Sequence, residues 1–400
     1  MNARLNPDHR HATSLTEDQR NLVDLCHQVG ARFGLEYWRD IDARGEFPHA
    51  CWQAICDAGL CGIAMPQEYG GSELGMTEFA LAVEALCASG AGATLSQVFM
   101  VNAIFGGVAL SHMGTNEMKQ AMLPKLMDGS MTFCMALTEP DAGTNSLAIK
   151  TFARATDRGW VLNGQKIWIT AVPQAKKMLV VCRTTRPEDV RRKTDGITLF
   201  MIDTDRPGLE HRAIDKLGTN TLPASTVFFQ DVEVYPEELI GEVDRGWIAL
   251  LEVLNTERIV TTAGLLGTTE LALGIAVGYA NERKVFDGKP ISSYQGIQFP
   301  LSEAYIQAQC AKLMNQKAAT LHDQGLPYGS EANMAKWLAA RAATAATDRA
   351  IQTLGGMGYA KEYHVERLWR DTRLFRLAPI SEEMGLNYVA QHNLGLARAY

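Results

Sequence analysis

Two stretches of the chain combine residue types that suit a flat ligand carrying phosphates. Residues Thr132–Thr144 read T-F-C-M-A-L-T-E-P-D-A-G-T, an apolar run typical of a strand followed by a turn. Residues Asn163–Val172 read N-G-Q-K-I-W-I-T-A-V, a β-rich segment with a tryptophan near its middle. A diphosphate needs clustered backbone N–H donors and little steric bulk, which Ala142-Gly143-Thr144 offers. Trp168 and Thr170 offer an aromatic wall and a donor for a flat ring.

Either stretch alone is more typical of a strand-end turn or of a core tryptophan. Their occurrence together inside one β-rich region favours a cofactor cradle over those structural interpretations. No G-x-G-x-x-G motif follows a predicted strand, so the sequence gives no support for a Rossmann dinucleotide site. The cradle is therefore expected to belong to another class of fold.

The elements that position these stretches fall into three blocks. Residues 1–130 are predicted to be mostly helical, residues 131–245 to form short strands, and residues 246–400 to return to long helices. We therefore expect an α+β protein with an N-terminal helical domain, a central antiparallel β-barrel or sandwich, and a C-terminal four-helix bundle. The predicted helices are Asp18–Phe33, His49–Cys61, Thr77–Ser89, Gly92–Gly114, Asn116–Met127, Trp247–Asn281, Tyr294–Asp323, Gly329–Leu354 and Ile380–Leu396.

The predicted strands are separated by turns, among them Asn163-Gly164, a pair typical of tight hairpins. A segment with seven charged residues, Arg186–Asp195, is predicted to be an exposed loop. The strands are Thr132–Leu137, Ala148–Ala155, Gly159–Asn163, Lys166–Thr170, Lys177–Arg183, Ile197–Asp203, Leu209–Ala213 and Ser225–Val234.

The composition argues against several function classes. The 38 basic and 45 acidic residues give a net charge of −7, which disfavours a general nucleic-acid binder. The sequence begins without the apolar core of a signal peptide and has no uninterrupted apolar run of about 18 residues or more. Eight cysteines without metal-ligand spacing are predicted to be reduced core residues of a cytoplasmic protein. No metal site is expected.

The two cradle stretches resemble the flavin-binding signature of the acyl-CoA dehydrogenase family. Members of that family have a T-E-P-x-A-G-S-like turn and a G-x-K-x-W-I-T-like strand. The resemblance extends along the chain to the family's P-x-x-Y-G-G loop, its barrel exit, and its E-R-x-x-F…Q, Q-x-x-G-G-x-G and R-D patterns. These correspond here to Gly62–Gly71, Asp231–Pro236 with Leu239–Glu242, Glu282–Phe286 with Gln295, Gln352–Tyr359, and Arg370-Asp371.

The resemblance implies FAD as the cofactor and assigns residues to it. A group in the central block would contact the ring and the pyrophosphate: Met135, Leu137, Thr138, Gly143, Thr144, Trp168 and Thr170. A group in the C-terminal block would bind the adenosine half across a subunit interface: Arg283, Phe286, Gln295, Gln352, Gly355 and Gly356. Ser381 and Glu383 complete the cofactor set.

The reaction implied by the resemblance is α,β-dehydrogenation of an acyl-CoA thioester to the 2-enoyl-CoA. A carboxylate removes a proton from Cα, and a hydride passes from Cβ to flavin N5. In many members the carboxylate lies in a Y-E-G-T-like loop after the R-D pair, where an ungapped alignment places Pro379. In the branch that includes isovaleryl-CoA dehydrogenase, the carboxylate precedes an Arg on the long helix, and this chain has Glu257-Arg258 there.

Glu257 is therefore predicted to be the catalytic base. On a helix it shares a face with Val253, Leu254, Val260 and Thr261, and an apolar face would raise its pKa toward neutrality. An exposed Glu257 paired with Arg258 is the ordinary alternative, and Glu382 and Glu383 are further candidates. Proline has no N–H, so a thioester-oxygen donor must come from elsewhere, such as Ile380 or the flavin ribityl hydroxyl.

The resemblance also implies substrate contacts and partners. Thr144, Leu254, Asn255 and Arg258 are predicted to contact an acyl-CoA. The predicted assembly is a homotetramer, a dimer of dimers, which passes electrons to an electron-transfer flavoprotein, with no nucleic-acid or membrane partner.

Two alternatives stay open. The first is the same fold with altered chemistry: a carrier-protein-bound substrate, turnover in the reductase direction, or an oxidase using O₂. The second is a flavin-bearing, non-catalytic binding protein. The acidic charge and the lack of a basic extra domain disfavour that second alternative.

Overall fold

Residues 15–286 and 288–398 are described by a computed structural model of the chain. The first 14 residues, for which the sequence predicts no signal peptide, lie outside the described residues, as do residues 287, 399 and 400.

The N-terminal block is helical, as predicted, and its first helix begins at a capping box. The hydroxyl of Thr16 accepts a hydrogen bond from the Gln19 N–H (3.2 Å), and the Gln19 side chain accepts one from the Thr16 N–H (3.1 Å). The sequence did not predict the second helix, Leu35–Arg44, which ends at Gly45 in a left-handed conformation. The helices are α1 Glu17–Ala31, α2 Leu35–Arg44, α3 His49–Asp57, α4 Met76–Leu86, α5 Ala93–Phe99, α6 Ala109–Met113 and α7 Asn116–Met127.

A π-helical segment, Met100–Val108, joins α5 to α6 and makes one long apolar helix from Ala93 to Met113. This helix and Gly246–Glu282 are long and apolar enough to cross a membrane by length and composition. The most apolar windows of the two helices are 100% and 89% buried inside the fold, as expected for core helices of a packed protein.

The central block forms an eight-stranded sheet in the described part of the chain. Its strands are β1 Phe133–Ala136, β2 Phe152–Thr156, β3 Gly159–Thr170, β4 Lys177–Arg183, β5 Ile197–Asp203, β6 Leu209–Ile214, β7 Ala224–Val234 and β8 Leu239–Ile240. The order is β6-β7-β3-β2-β4-β5-β8, with β1 paired to β4. The sheet is mixed rather than wholly antiparallel, because β1 and β2 both run parallel to β4.

The predicted hairpin turn at Asn163-Gly164 is wrong. Strand β3 is continuous, and the two predicted strands Gly159–Asn163 and Lys166–Thr170 are one. Gly164, with φ of 151°, instead lies where the register of β3 against β7 shifts. The Asn163-Gly164 pair forms a β-bulge here, because glycine reaches backbone conformations that other residues rarely adopt.

The C-terminal block contains the helices α8 Gly246–Glu282, α9 Gln295–Asp323, α10 Gly329–Leu354, α11 Val365–Leu374 and α12 Glu382–His392. A small hairpin of β9 Lys284–Val285 and β10 Lys289–Pro290 follows α8. The sequence did not predict α11, and α12 is shorter than the expected Ile380–Leu396. The α+β class with three blocks is confirmed.

Helices α8 and α10 run in the same direction. At their first halves, Gly329 lies against Asn255, since a Cβ placed on Gly329 would be 3.6 Å from the Asn255 amide. At their ends, Leu354 and Ala276 belong to one apolar cluster. Alanines fill most of the buried face of α10, which lets the two helices approach closely.

The cysteine prediction holds for seven of the eight residues, which are free and buried. Cys310, on α9, is exposed, so its assignment to the core was wrong. No cluster of three or more potential metal-ligating side chains occurs among residues 15–286 and 288–398.

Candidate functional site

The structure brings the two cradle stretches together through a buried ion pair. Lys166 of β3 is fully buried and its Nζ lies 2.9 Å from Oε1 of Glu139. Lys166 Nζ also donates to the Leu137 carbonyl (2.8 Å), and the Ile167 N–H donates to the Thr138 carbonyl (2.9 Å). The end of β1 and the middle of β3 are thereby held side by side.

Glu139 organises the turn that follows β1. Its carboxylate accepts hydrogen bonds from the backbone N–H groups of Lys150 (2.6 Å) and Thr151 (2.9 Å). Burial opposes ionisation of Glu139, but Lys166 and these donors hold the pKa of the carboxyl below its ordinary value. The turn is closed by paired backbone hydrogen bonds between Glu139 and Ala142 (3.1 and 3.2 Å).

The outer side of this turn is free to receive a phosphate group. Gly143 and Thr144 are exposed, and a Cβ placed on Gly143 would meet no atom within 4 Å. The Ser146 hydroxyl donates to the Gly143 carbonyl (2.8 Å), which fixes the exit of the turn. This open, rigid turn fits the pyrophosphate of a dinucleotide cofactor.

Trp168 is presented to the surface by an irregularity in β3. The register of β3 against β7 shifts between Lys166 and Ile169, and Trp168 has φ of 62°. Its side chain is 54% exposed, although its neighbour Ile169 is buried. A large aromatic residue held in a left-handed conformation at a bulge is a feature of binding sites, where a ring is aimed at a ligand.

Apolar residues of β1 connect the cradle to the long helices. Met135 and Leu137 pack against the same apolar core as Leu254 of α8. The segment Met100–Val108 packs against β1, where the Asn102 side chain accepts a hydrogen bond from the Phe133 N–H (2.9 Å). Thr170 is half-buried at the end of β3, and Thr138 is half-buried two residues after the end of β1.

Glu257 is buried on α8, with 3% of its surface exposed. Burial raises the pKa of the Glu257 carboxyl to about 8, while Arg258 and Lys336 act in the opposite direction. None of the hydrogen bonds or ion pairs found within the described part of the chain involves this carboxylate. The structure therefore disfavours the exposed, Arg-paired alternative, and a raised pKa suits a general base.

Polar groups surround Arg258, the residue that follows Glu257 on α8. The Arg258 guanidinium donates to the Asn255 side chain, and burial lowers the pKa of Arg258. One turn earlier on α8, Glu252 accepts a hydrogen bond from the Tyr328 hydroxyl (2.7 Å). Tyr328 and Tyr388 both act on Arg258 electrostatically. The predicted substrate residues Leu254, Asn255 and Arg258 lie beside Glu257 on α8, and Thr144 lies in the cradle turn.

The two other candidate carboxylates, Glu382 and Glu383, lie in the first turn of α12. Glu382 is buried and forms a two-point ion pair with Arg376 (2.8 and 2.7 Å). Glu383 and Pro379 are exposed, and the Ser381 hydroxyl accepts the Met384 N–H (3.3 Å) as the N-cap of α12. The predicted roles of Ser381 and Glu383 at the cofactor stay predictions.

The residues predicted to bind the adenosine half lie at the other end of the C-terminal block. All six are exposed, and Phe286 is 93% exposed. The α8 axis between Glu257 and Arg283 is about 39 Å long at the rise of an α-helix. The six residues are Arg283, Phe286, Gln295, Gln352, Gly355 and Gly356.

One residue near Glu257 was missed by the sequence analysis. Lys336 of α10 is 2% exposed, and its Nζ donates to the Ile380 carbonyl in the loop before α12. A single lysine among Ala332, Ala335 and Ala339 on a buried helical face is the signal that could have found it.

Comparisons with known proteins agree with this arrangement. Models of the acyl-CoA dehydrogenase N-terminal, middle and C-terminal domains match residues 16–130, 134–232 and 244–394. Acyl-CoA dehydrogenase FadE12 of Mycobacterium tuberculosis is 39% identical over 96% of this chain and 98% of its own length.

Two solved structures are also similar. Butyryl-CoA dehydrogenase from Megasphaera elsdenii is 30% identical, with a TM-score of 0.89 over 96% of this chain and 100% of that chain. The prolyl acyl carrier protein oxidase AnaB is 26% identical, with a TM-score of 0.91 over the same shares of the two chains.

The fold and the cradle define an FAD-dependent oxidoreductase that acts on acyl thioesters. The chain belongs to the acyl-CoA dehydrogenase family. Its reaction is a flavin-dependent oxidation of the acyl-CoA dehydrogenase type, with FAD as the cofactor, as expected from the resemblance.

Proposed function

We propose that this chain catalyses α,β-dehydrogenation of an acyl-CoA, with Glu257 as the base that removes the Cα proton. The observation that carries the proposal is the burial of Glu257 without a hydrogen-bonding partner among the described residues. Pro379 cannot act as a base, and Glu382 is already bound by Arg376. Glu257 is thus the carboxylate best placed to act.

The proton chemistry follows from the surroundings of Glu257. Its carboxylate, once ionised, takes the proton from Cα, and Arg258 beside it limits the cost of a buried negative charge. FAD, when bound, supplies the acceptor for the hydride that leaves Cβ, so that the product is the 2-enoyl thioester. Leu254 and Asn255 would position the acyl thioester along α8.

The residues of the cradle would hold FAD in two regions. The exposed Trp168, with Thr170, Met135, Leu137 and Thr138, would line the ring. The open turn at Gly143 and Thr144 would hold the pyrophosphate. Ser381 and Glu383 would complete the site from the C-terminal loop.

A second copy of the chain would supply the adenosine half of the site. The distance of about 39 Å along α8 between Glu257 and Arg283 supports a site shared by two chains. We propose a homotetramer built as a dimer of dimers, with electrons passed to an electron-transfer flavoprotein and with the enzyme in the cytoplasm. The exposed ring of Phe286 is consistent with burial in such an interface.

A carrier-protein-bound substrate is the second candidate. Two observations favour it: Pro379 removes a backbone N–H from the loop, and the similar oxidase AnaB acts on a prolyl acyl carrier protein. Anaerobic mixing of the purified protein with acyl-CoAs and with acylated carrier protein decides between the two. Bleaching of the flavin absorbance by acyl-CoAs supports the first candidate. Bleaching by the carrier-bound thioester alone supports the second, and no bleaching by either contradicts both.

A further inference from the structure

The loop between α11 and α12 is held at three points. The Glu382 N–H donates to the Arg376 carbonyl (3.2 Å), and the side chains of the same two residues form a two-point ion pair. The third point is the Lys336 ammonium, which donates to the Ile380 carbonyl from the facing helix α10. Ile380 directly follows Pro379, so Lys336 holds the loop next to the residue that has no backbone N–H.

Lys336 lies on α10, which packs against both α8, the helix of the proposed base, and α12. It is 2% exposed, and the charged groups that act on it are Glu257 and Arg258 of α8 and Glu382 and Glu383 of α12. Glu257 in turn experiences the charges of Arg258 and Lys336. A buried lysine carries a desolvation cost, so its presence here calls for a role beyond packing.

We propose that Lys336 is a positioning residue for the reaction: it anchors the Pro379 loop through the Ile380 carbonyl and keeps a positive charge beside Glu257. The electrostatic half of this inference rests on the proposed function, in which Glu257 is the base. The anchoring half rests on the contact between Lys336 and Ile380 alone. The two halves are therefore separable by experiment.

Three variants of the FAD-loaded enzyme separate charge from anchoring. Lys336→Met removes both, Lys336→Gln removes the charge and keeps an amide donor, and Lys336→Arg keeps both. Lys312→Met is the matched control, because Lys312 is a half-buried lysine of α9 that pairs with Glu84 (2.6 Å) and does not act on Glu257.

The first measurement is the pH profile of kcat/KM. Removal of a positive charge raises the pKa of a nearby carboxyl, so the acid limb is expected to move upward by about one pH unit or more in Lys336→Met and Lys336→Gln. Lys336→Arg and Lys312→Met are expected to keep the wild-type limb. An unmoved limb in both Lys336→Met and Lys336→Gln overturns the electrostatic half.

The second measurement is amide hydrogen exchange of the peptide covering residues 376–384, which does not depend on catalysis. Loss of a hydrogen bond from a charged donor is expected to speed exchange there about tenfold or more in Lys336→Met. Lys336→Arg and Lys312→Met are expected to leave it unchanged. Wild-type protection of this peptide in Lys336→Met overturns the anchoring half. If Lys336→Met does not fold, Lys336→Ala, which also lacks a donor and matches the alanines of the same helical face, replaces it. Faster exchange in Lys336→Ala than in Lys336→Arg supports anchoring, and equal exchange overturns it.

The proposed function fails in a different way. If Glu257→Gln keeps the wild-type turnover, Glu257 is not the base, and the electrostatic half of the proposal is wrong as well. The exchange measurement still decides whether Lys336 anchors the loop.

Discussion

Lys166 Nζ lies 2.9 Å from Oε1 of Glu139, and this contact joins the end of β1 to the middle of β3 inside the protein. Both residues are buried, and Glu139 receives two further hydrogen bonds from the start of the segment that leads to β2. The turn proposed to hold the pyrophosphate and the bulge that presents Trp168 are therefore joined by this ion pair and by the hydrogen bond from the Ile167 N–H to the Thr138 carbonyl.

Loss of one partner of this pair is expected to be costly. Lys166→Met leaves a buried carboxylate without its counter-charge, which typically destabilises a protein by about 3–5 kcal/mol. Denaturant unfolding measures the loss, and the FAD content of the purified protein should fall with it. The double variant Lys166→Met/Glu139→Gln should recover part of the stability; a double variant as unstable as the sum of the singles would contradict a direct coupling.

Substitution by alanine is expected to lower stability at one glycine of the cradle and to weaken only FAD binding at another. Gly164 has φ of 151°, and its Cβ would lie 2.5 Å from Oγ1 of Thr151, so Gly164→Ala should lower stability by about 1–3 kcal/mol. Gly143 has open space around it, so Gly143→Ala should keep the wild-type free energy of unfolding and weaken FAD binding. Thermal unfolding of both apoproteins and titration with FAD test this. A destabilised Gly143→Ala apoprotein would argue against an open turn.

The free energy of unfolding should depend on pH in the way that a buried acid at position 257 requires. The pKa of Glu257 rises from 4.5 to about 8 on folding, so its contribution to stability is present below pH 4.5 and is lost as the pH rises toward 8. The slope in that window is about 1.4 kcal/mol per pH unit. Glu257→Gln removes the titrating group, so this variant should gain stability relative to wild type between pH 5 and pH 8. A pH-independent difference between the two proteins would place the pKa of Glu257 near its ordinary value.

Subunit mixing tests whether one cofactor is shared by two chains. Arg283→Glu damages the adenosine end of a subunit, and Glu257→Gln damages the base end. Each variant alone should be inactive. A mixed dimer purified through two different tags contains one site with both wild-type ends, so it should recover about half of the wild-type rate. No recovery in verified mixed dimers would show that each chain supplies both ends of its own site.

The succession of helical, β-rich and helical blocks was predictable because hydrophobic periodicity changes sharply after Gly129 and again near Gly246. The bounds of α10 were predicted to the residue, since Gly329 and Leu354 lie next to turn residues. The Asn163-Gly164 pair misled because a hairpin turn and a bulge use the same glycine property. Helix α11 was missed because its buried surface includes Arg367 and Asp371, which are polar in sequence and paired in the fold.

The residues of the candidate site were predictable where a sequence motif includes them, and the others were not. Glu257 could be singled out because an Arg follows it on a long apolar helix, and its burial agrees with that expectation. Its role as the base stays a prediction. Lys336 has no motif around it, and its relation to Ile380 depends on how α10 packs against a loop more than 40 residues away in the chain. Such relations are set by tertiary packing, which local pattern does not encode.

The most direct test of Glu257 as the base is the rate of anaerobic flavin reduction by an acyl-CoA in Glu257→Gln, followed by stopped-flow absorbance. Glu303→Gln, which changes an exposed carboxylate on α9, is the control. If Glu257 is the base, the rate constant should be about 10²–10⁴ lower in Glu257→Gln at wild-type FAD content, and Glu303→Gln should keep the wild-type rate. Flavin reduction at nearly the wild-type rate in Glu257→Gln would show that another group removes the Cα proton.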